Sequence, residues 1–342
     1  DMTLNGGFGA VTTSIANPPN LIPRCSEKIT AINQLNNDEI LVTALANQNG
    51  NNNTYNSFWT FTIDATGVNN VPVISAVSSL AQGADRRGNL KISPDGLYMV
   101  SCNMTSGTFL YDYDQSTGAV SNERRIIYNG PNINGYGVEF SPDSSLLYLT
   151  ASNDFNGQGS NTSAAGHQST LYQIDIATAA TGTFITNMTI IDTRQGYRGS
   201  MQLGIDGKIY RAISDTYDQG RPFLAVINNP NTPGLGCNYV HDAIPLAGRT
   251  STQGLPPFIQ SYFALIEAEN LCLGDATDFT FQTDTPPTSI AWDFGDGTTS
   301  SLENPQHVYA ATGIYNVVLV LDYNGSIRTY RKNIEIFDVP VA

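Results

Sequence analysis

Apolar and polar residues alternate along this chain in short bursts, and no stretch sustains a 3.6-residue apolar period for three turns. The elements predicted are therefore strands, with little helix. One arrangement returns four times: an apolar strand, a tight turn built on Asp or Asn, a second apolar strand, a polar loop, and then an alternating strand. The clearest copies begin LKISPDGLYMVSCN, VEFSPDSSLLYLTASN and MQLGIDGKIYRAIS, and an earlier one reads AINQLNNDEILVTAL. They continue into TFLYDYDQSTGAV, STLYQIDIATAATG, FLAVINNPNTPG and FWTFTIDATGV, where the two-residue period of Leu110 to Asp114 and of Leu171 to Asp175 marks half-buried strands.

The turn residues Asp38, Asp95, Asp143 and Asp206 stand 57, 48 and 63 residues apart. That is near the period of about 40–50 residues typical of four-stranded propeller blades, with some loop growth. The expected fold class is all-β, with a β-propeller region over residues 1–262 in which four blades are recognisable. Residues 1–26 are too few for several more blades. The propeller is thus expected to be incomplete in this chain, with further blades before Asp1; the alternative is a compact four- or five-bladed ring completed by residues 1–26. Around Gln253-Gly254-Leu255-Pro256-Pro257 the repeat is interrupted, and from Phe263 strand signals come about 8–12 residues apart, the spacing of a sandwich.

That second region, residues 264–342, carries Ala291-Trp292-Asp293-Phe294-Gly295-Asp296-Gly297, then Glu303-Asn304-Pro305-Gln306-His307-Val308-Tyr309, then Gly313-Ile314-Tyr315-Asn316-Val317-Val318-Leu319. Three motifs in this order resemble the PKD family, which implies an Ig-like β-sandwich. Trp292 and Phe294 are expected to fill its core, Gly295 to Gly297 to turn a hairpin, and Tyr309, Tyr315, Val317 and Leu319 to alternate inward. The propeller half is similar to regions preceding PKD-like modules in large exported proteins of the type IX secretion system, including those with gliding-motility-associated or type B sorting domains. The matching stretches, among them Glu27 to Ala31, Leu90 to Gly96, Ala225 to Pro230 and Gly254 to Ser261, span most of residues 27–261. The resemblance implies secretion to the cell surface and contact with that export machinery.

Composition narrows the partners. Sixteen basic against thirty acidic residues give a formal charge of −14, so no basic face is available to neutralise phosphates and a nucleic-acid partner is not expected. No apolar run approaches the roughly 20 residues of a membrane span. The four cysteines have no CxxC spacing. A disulfide between Cys237 and Cys272, which flank the domain junction, is expected to staple the sandwich to the last blade; inert thiols are the alternative.

Candidate chemistry is sparse. His167, His241 and His307 are isolated in sequence, with His241 expected at the surface and His307 in a structural hydrogen bond. Carboxylates come in pairs, Asp112 with Asp114, Asp215 with Asp218 and Asp293 with Asp296, and the loop around Asp154 is rich in oxygen ligands. Calcium is the ion that Asp293, Asp296 or Asp154 could hold, although aspartate in turns more often bonds backbone N–H groups. No nucleophile elbow, phosphate loop or dinucleotide fingerprint occurs. Arg194, Tyr197 and Arg198 are the candidates for a propeller face that meets a partner. The expected function is a non-enzymatic binding, adhesion or scaffold protein that engages other proteins or surface glycans, without catalytic residues or a required cofactor. The alternative is a propeller enzyme, lactonase-like or glycan-degrading, with carboxylates and calcium in its central channel.

Overall fold

The computed structural model describes residues 21–338 apart from short stretches at 36–38, 48–53, 65, 83–85, 128–133, 154–163, 165, 183–187, 205, 258–264, 284–285 and 324–325. Its propeller half consists of antiparallel meanders that each use one copy of the repeat. Blade 1 comprises β1 (Cys25–Asn33), β2 (Ile40–Ala46), β3 (Thr54–Asp64), β4 (Gly67–Val68) and β5 (Val73–Gln82), the last two both pairing with β3. Blade 2 holds β6 (Leu90–Ile92), β7 (Tyr98–Asn103), β8 (Gly107–Asp114) and β9 (Ala119–Ile127). Blade 3 holds β10 (Asn134–Phe140), β11 (Leu146–Ser152), β12 (Gln168–Asp175) and β13 (Thr189–Gln195). Blade 4 holds β14 (Met201–Leu203), β15 (Ile209–Arg211), β16 (Phe223–Ile227) and β17 (Tyr239–Pro245). The α-helix among the described residues, α1 (Ile176–Ala180), is one short turn whose Thr178 amide is capped by Asp175.

The repeated turn works the same way in successive blades. Ser93 Oγ donates to Asp95 Oδ1 at 2.6 Å and accepts from the Tyr98 amide at 2.9 Å. Ser141 and Asp143 repeat this with the Leu146 amide, at 2.6 and 2.9 Å. Gly96, Ser144 and Gly207 follow the three aspartates at φ of +73°, +62° and +75°, the left-handed corner that a tight turn needs. Local polar bonds fix the hairpin, and hairpin length fixes which side chains of the flanking strands face the neighbouring blade. Between blades lie apolar cores: Val100, Leu110, Val138, Phe140, Leu147 and Leu149 form one across blades 2 and 3. Ile32, Leu41, Phe58, Ile92, Met99 and Tyr111 form another across blades 1 and 2.

After the prolines the chain forms a sandwich of two antiparallel sheets. One contains β18 (Leu265–Glu269), β19 (Thr277–Gln282) and β22 (Gln306–His307). The other contains β20 (Ser289–Asp293), β21 (Thr299–Ser300), β23 (Gly313–Tyr323) and β24 (Ser326–Ile336) in the order β21-β20-β23-β24. Trp292, Phe294, Phe279, Val317, Leu319 and Leu321 are buried between them, because the period of two sends alternate side chains of β20 and β23 to one face.

Candidate functional site

The innermost strands of blades 2, 3 and 4 read Leu90-Lys91-Ile92, Val138-Glu139-Phe140 and Met201-Gln202-Leu203, each with one polar residue between two buried apolar ones. The repeat sets those three polar residues at equivalent places, four before Asp95, Asp143 and Asp206, and the structure brings them together. Lys91 Nζ lies 2.8 Å from Glu139 Oε2 and donates to Gln202 Oε1 at 2.6 Å. The Glu139 side chain is fully buried and that of Lys91 is 5% exposed. Glu139 also accepts the Leu203 amide at 3.0 Å and its neighbour Phe140's at 3.1 Å, while the Gln202 amide group donates to the Leu203 carbonyl. From blade 1, Thr30 Oγ1 accepts the Ile92 amide at 3.3 Å. A buried charge pair repays its desolvation only with such complete hydrogen bonding. Chemically the carboxylate is committed: it holds a lysine and two amides, which makes it a structural lock.

Nearer the other end of these strands, Glu27 accepts the Gly88 amide at 2.9 Å and Ser200 donates to Asn89 at 2.9 Å. Gly137 sits so close to the Gly199 carbonyl that a Cβ would fall 2.0 Å from its oxygen, so blades 3 and 4 meet backbone to backbone. Arg198, at φ +48°, lies 4.7 Å from the Tyr197 ring centre and 5.4 Å from that of Tyr136, and donates to Gln253 at 3.0 Å. Burial, then the nearby Glu27 carboxylate, pushes the Tyr136 phenol up to about 12. Tyr197 is itself buried, with His167 edge-on at 4.9 Å and Tyr217 at 6.4 Å. Of Arg194, Tyr197 and Arg198, expected to present a partner-binding face, the structure buries Tyr197 and Arg198 and leaves Arg194 partly exposed. Tyr197 and Arg198 are interior packing, and Arg194 forms a fork on Asp192 at 2.6 and 2.5 Å.

Asp192 also receives the buried Arg211 at 3.3 Å, and Arg211 reaches Ser169 at 2.8 Å and the Tyr239 hydroxyl at 3.0 Å, tying blade 3 to blade 4. Burial alone would raise the Asp192 carboxyl, but its bonds to Arg194 and the charge of Arg211 hold it below the usual carboxylate range. His241, expected at the surface, is partly buried against Arg221 at 3.0 Å, and burial followed by the Arg194 charge lowers its affinity for a proton. The remaining carboxylate pairs separate by role. Asp112 binds Arg124 at 2.5 Å while Asp114 caps a turn at Ser116 and Thr117; Asp215 binds Arg221 at 2.6 Å while Asp218 accepts from Thr216.

In the sandwich, Asp293 accepts the Gly295 amide at 2.9 Å, and Asp296 accepts the Thr298 amide and hydroxyl and approaches His307 Nε2 at 2.7 Å. Both carboxylates thus serve their turn. Asp154 lies outside the described residues, and among the described residues no three His, Cys, Asp or Glu side chains gather as a metal site would require. Trp292 donates to the Leu302 carbonyl at 3.1 Å, Tyr309 to the Phe294 carbonyl at 3.0 Å, and Tyr315 to the Ala311 carbonyl at 2.9 Å. His307 stacks flat on Phe294 at 4.4 Å. The expected disulfide is also corrected: Cys237 and Cys272 are both free thiols. Cys237 is buried beside Tyr148 in the connection between β16 and β17, whereas Cys272 belongs to the sandwich, where it forms a backbone bridge with Phe337.

Lys91, Glu139, Gln202, Lys28 and Arg211 escaped notice in the sequence. Lys28 is buried on Ser101 at 3.0 Å, the Cys102 carbonyl and Asn103. For the first three the signal was present in the one polar letter repeated inside each apolar triplet.

Residues 264–336 match the PKD domain family. Among solved structures, the first PKD domain of the Vibrio cholerae metalloprotease PrtV is 28% identical, over 22% of this chain and 95% of that one, with a TM-score of 0.20. The first PKD domain of Vibrio anguillarum Epp is 30% identical over 22% and 93%, also at 0.20. The oligogalacturonate lyase of Vibrio parahaemolyticus is similar over 87% of this chain and 71% of its own, at 13% identity and a TM-score of 0.37. No curated protein matches the chain.

Proposed function

We propose that this chain, a propeller region followed by a PKD domain, is a non-enzymatic binding module of an exported surface protein. The carrying observation is the buried Lys91–Glu139–Gln202 lock, which occupies with mutual bonds the meeting place of three inner strands. Convergent side chains there would be the natural seat of propeller catalysis. Here they tie blades together and make the region a stiff support, leaving the loops of its open face to meet a protein or a surface glycan. The PKD domain acts as an interaction module or as a spacer held against the propeller. Delivery by a type IX system to the cell surface is part of the same proposal, and rests on the resemblance of residues 27–261. No helix among the described residues is long and apolar enough to cross a membrane.

The test is to pass the purified chain over glycan and cell-surface protein arrays, and to assay it with calcium on acidic polysaccharides and lactones. Saturable binding without turnover supports the reading. Turnover of any of these substrates by the purified chain overturns it.

A further inference from the structure

Strand β24 is the outer strand of its sheet. It pairs with β23 in unbroken register, with Asn333 opposite Asn316 and Ile327 opposite Asp322. An antiparallel ladder uses the backbone groups of alternate residues, so those of Ile327, Thr329, Arg331, Asn333, Glu335 and Phe337 lie along the free edge. Sheet edges of this kind invite pairing with other chains and are normally covered.

Among the described residues, three points on this edge are covered. At its end Phe337 exchanges bonds with Leu271 and Leu273 of the sandwich, at 2.9 and 2.8 Å. The other two partners come from the propeller. The Asn333 amide donates to the Leu35 carbonyl at 2.7 Å, in the hairpin that joins β1 to β2, and Leu35 itself donates to Gln115 of blade 2 at 3.1 Å. The Ile327 carbonyl accepts from Asn231 Nδ2 at 3.1 Å, in the loop between β16 and β17. Asn231 is held in turn by the Asp143 amide of blade 3, which donates to its Oδ1 at 3.3 Å. Each anchor on the propeller is thus braced against the adjoining blade. The six-residue step from Ile327 to Asn333 covers about 20 Å of strand.

We infer that the sandwich is docked edge-on to the propeller, with β24 laid as a clasp from the first blade to the fourth. Its partner is the hairpin face of its own chain, and the PKD domain is a brace for the propeller rather than a freely swinging spacer. This stands apart from the question of which ligand the chain binds. It also accounts for an outer strand of eleven residues standing beside no further strand of its sheet among the described residues.

Residue-resolved amide hydrogen exchange on the full chain tests it. Asn333 is expected to exchange at least tenfold more slowly than Thr329 and Arg331, which share the edge but whose amides meet no acceptor among the described residues. Asn231→Ala, a loop change that leaves the sandwich ladder intact, is expected to speed Asn333 several-fold while the Leu319 amide in β23 stays protected. Asn333 exchanging as fast as Thr329 and Arg331 in the unmodified chain would overturn the clasp. So would an Asn333 rate that Asn231→Ala leaves unmoved, since the two anchors would then act independently.

Discussion

The two halves of the molecule solve burial differently. The sandwich core is aromatic: Trp292, Phe279 and Phe294 lie with ring centres 5.0 to 6.5 Å apart, and their polar atoms are few and bonded locally. The blades also pack apolar side chains, yet they sink Lys28, Lys91, Glu139 and Arg211 among them. Apolar packing is non-directional and fills a slot from either side, whereas a buried charge is tolerated only with its partner in place. A two-sheet sandwich has one interface to fill, while successive blades resemble one another and need something to fix which face meets which. The charged locks carry that specificity, and the aromatic cluster carries bulk stability.

Removing the largest side chain of the aromatic core should have the greatest effect. Trp292→Ala is expected to cost about 5 kcal/mol, at the upper end for a buried aromatic, as read from the denaturant midpoint of the sandwich transition by circular dichroism. A loss below about 1 kcal/mol would mean that the core does not rest on this ring. Next comes the lock. Glu139→Ala strands Lys91 and should cost about 3–4 kcal/mol, whereas Lys91→Met with Glu139→Leu should return to within about 1 kcal/mol of the parent. If the double replacement is as harmful as the single one, the site does more than pair charges. Smaller still, Tyr309→Phe leaves the Phe294 carbonyl without its donor, for about 1–2 kcal/mol in the sandwich transition alone.

The smallest effect is a pH dependence. Burial would raise the Asp296 carboxyl, but hydrogen bonds from Thr298 and His307 outweigh it and hold it below the usual range. A depressed carboxyl contributes stability that is present above its unfolded value of about 3.9 and is lost as pH falls through the folded one. Sandwich stability should therefore decline below about pH 4, and Asp296→Asn should flatten that decline. An unchanged acid profile in the variant would assign the decline to other groups.

Legibility in sequence followed the range of the interaction. Asp95, Asp143 and Asp206 announced their turns because their bonding partners lie within five residues. Trp292, Phe294 and Tyr309 announced the sandwich because its motifs are spelled contiguously. Arg198 and Tyr197 misled because arginine and tyrosine suit an interface and a packed stack equally well, and only the neighbouring Tyr136 and Gln253 decide between them. Cys237 and Cys272 misled because nearness to a domain junction in sequence says nothing about which way a thiol points. Lys91 was hidden by distance, since Glu139 and Gln202 arrive 48 and 111 residues later.

That separation also has a cost in time. A chain emerging at about 5–20 residues per second exposes Lys91 for roughly 2–10 s before Glu139 follows it, and for longer before Gln202 does. Throughout that interval blade 2 holds a cation facing blades not yet made, so its inner strand has little reason to leave water. The lock is thus expected to order assembly. Blades 2, 3 and 4 should gain their final packing together once Gln202 is available, and a chain stalled between Glu139 and Gln202 should remain more sensitive to protease across Leu90–Ile92 than one released after Leu203.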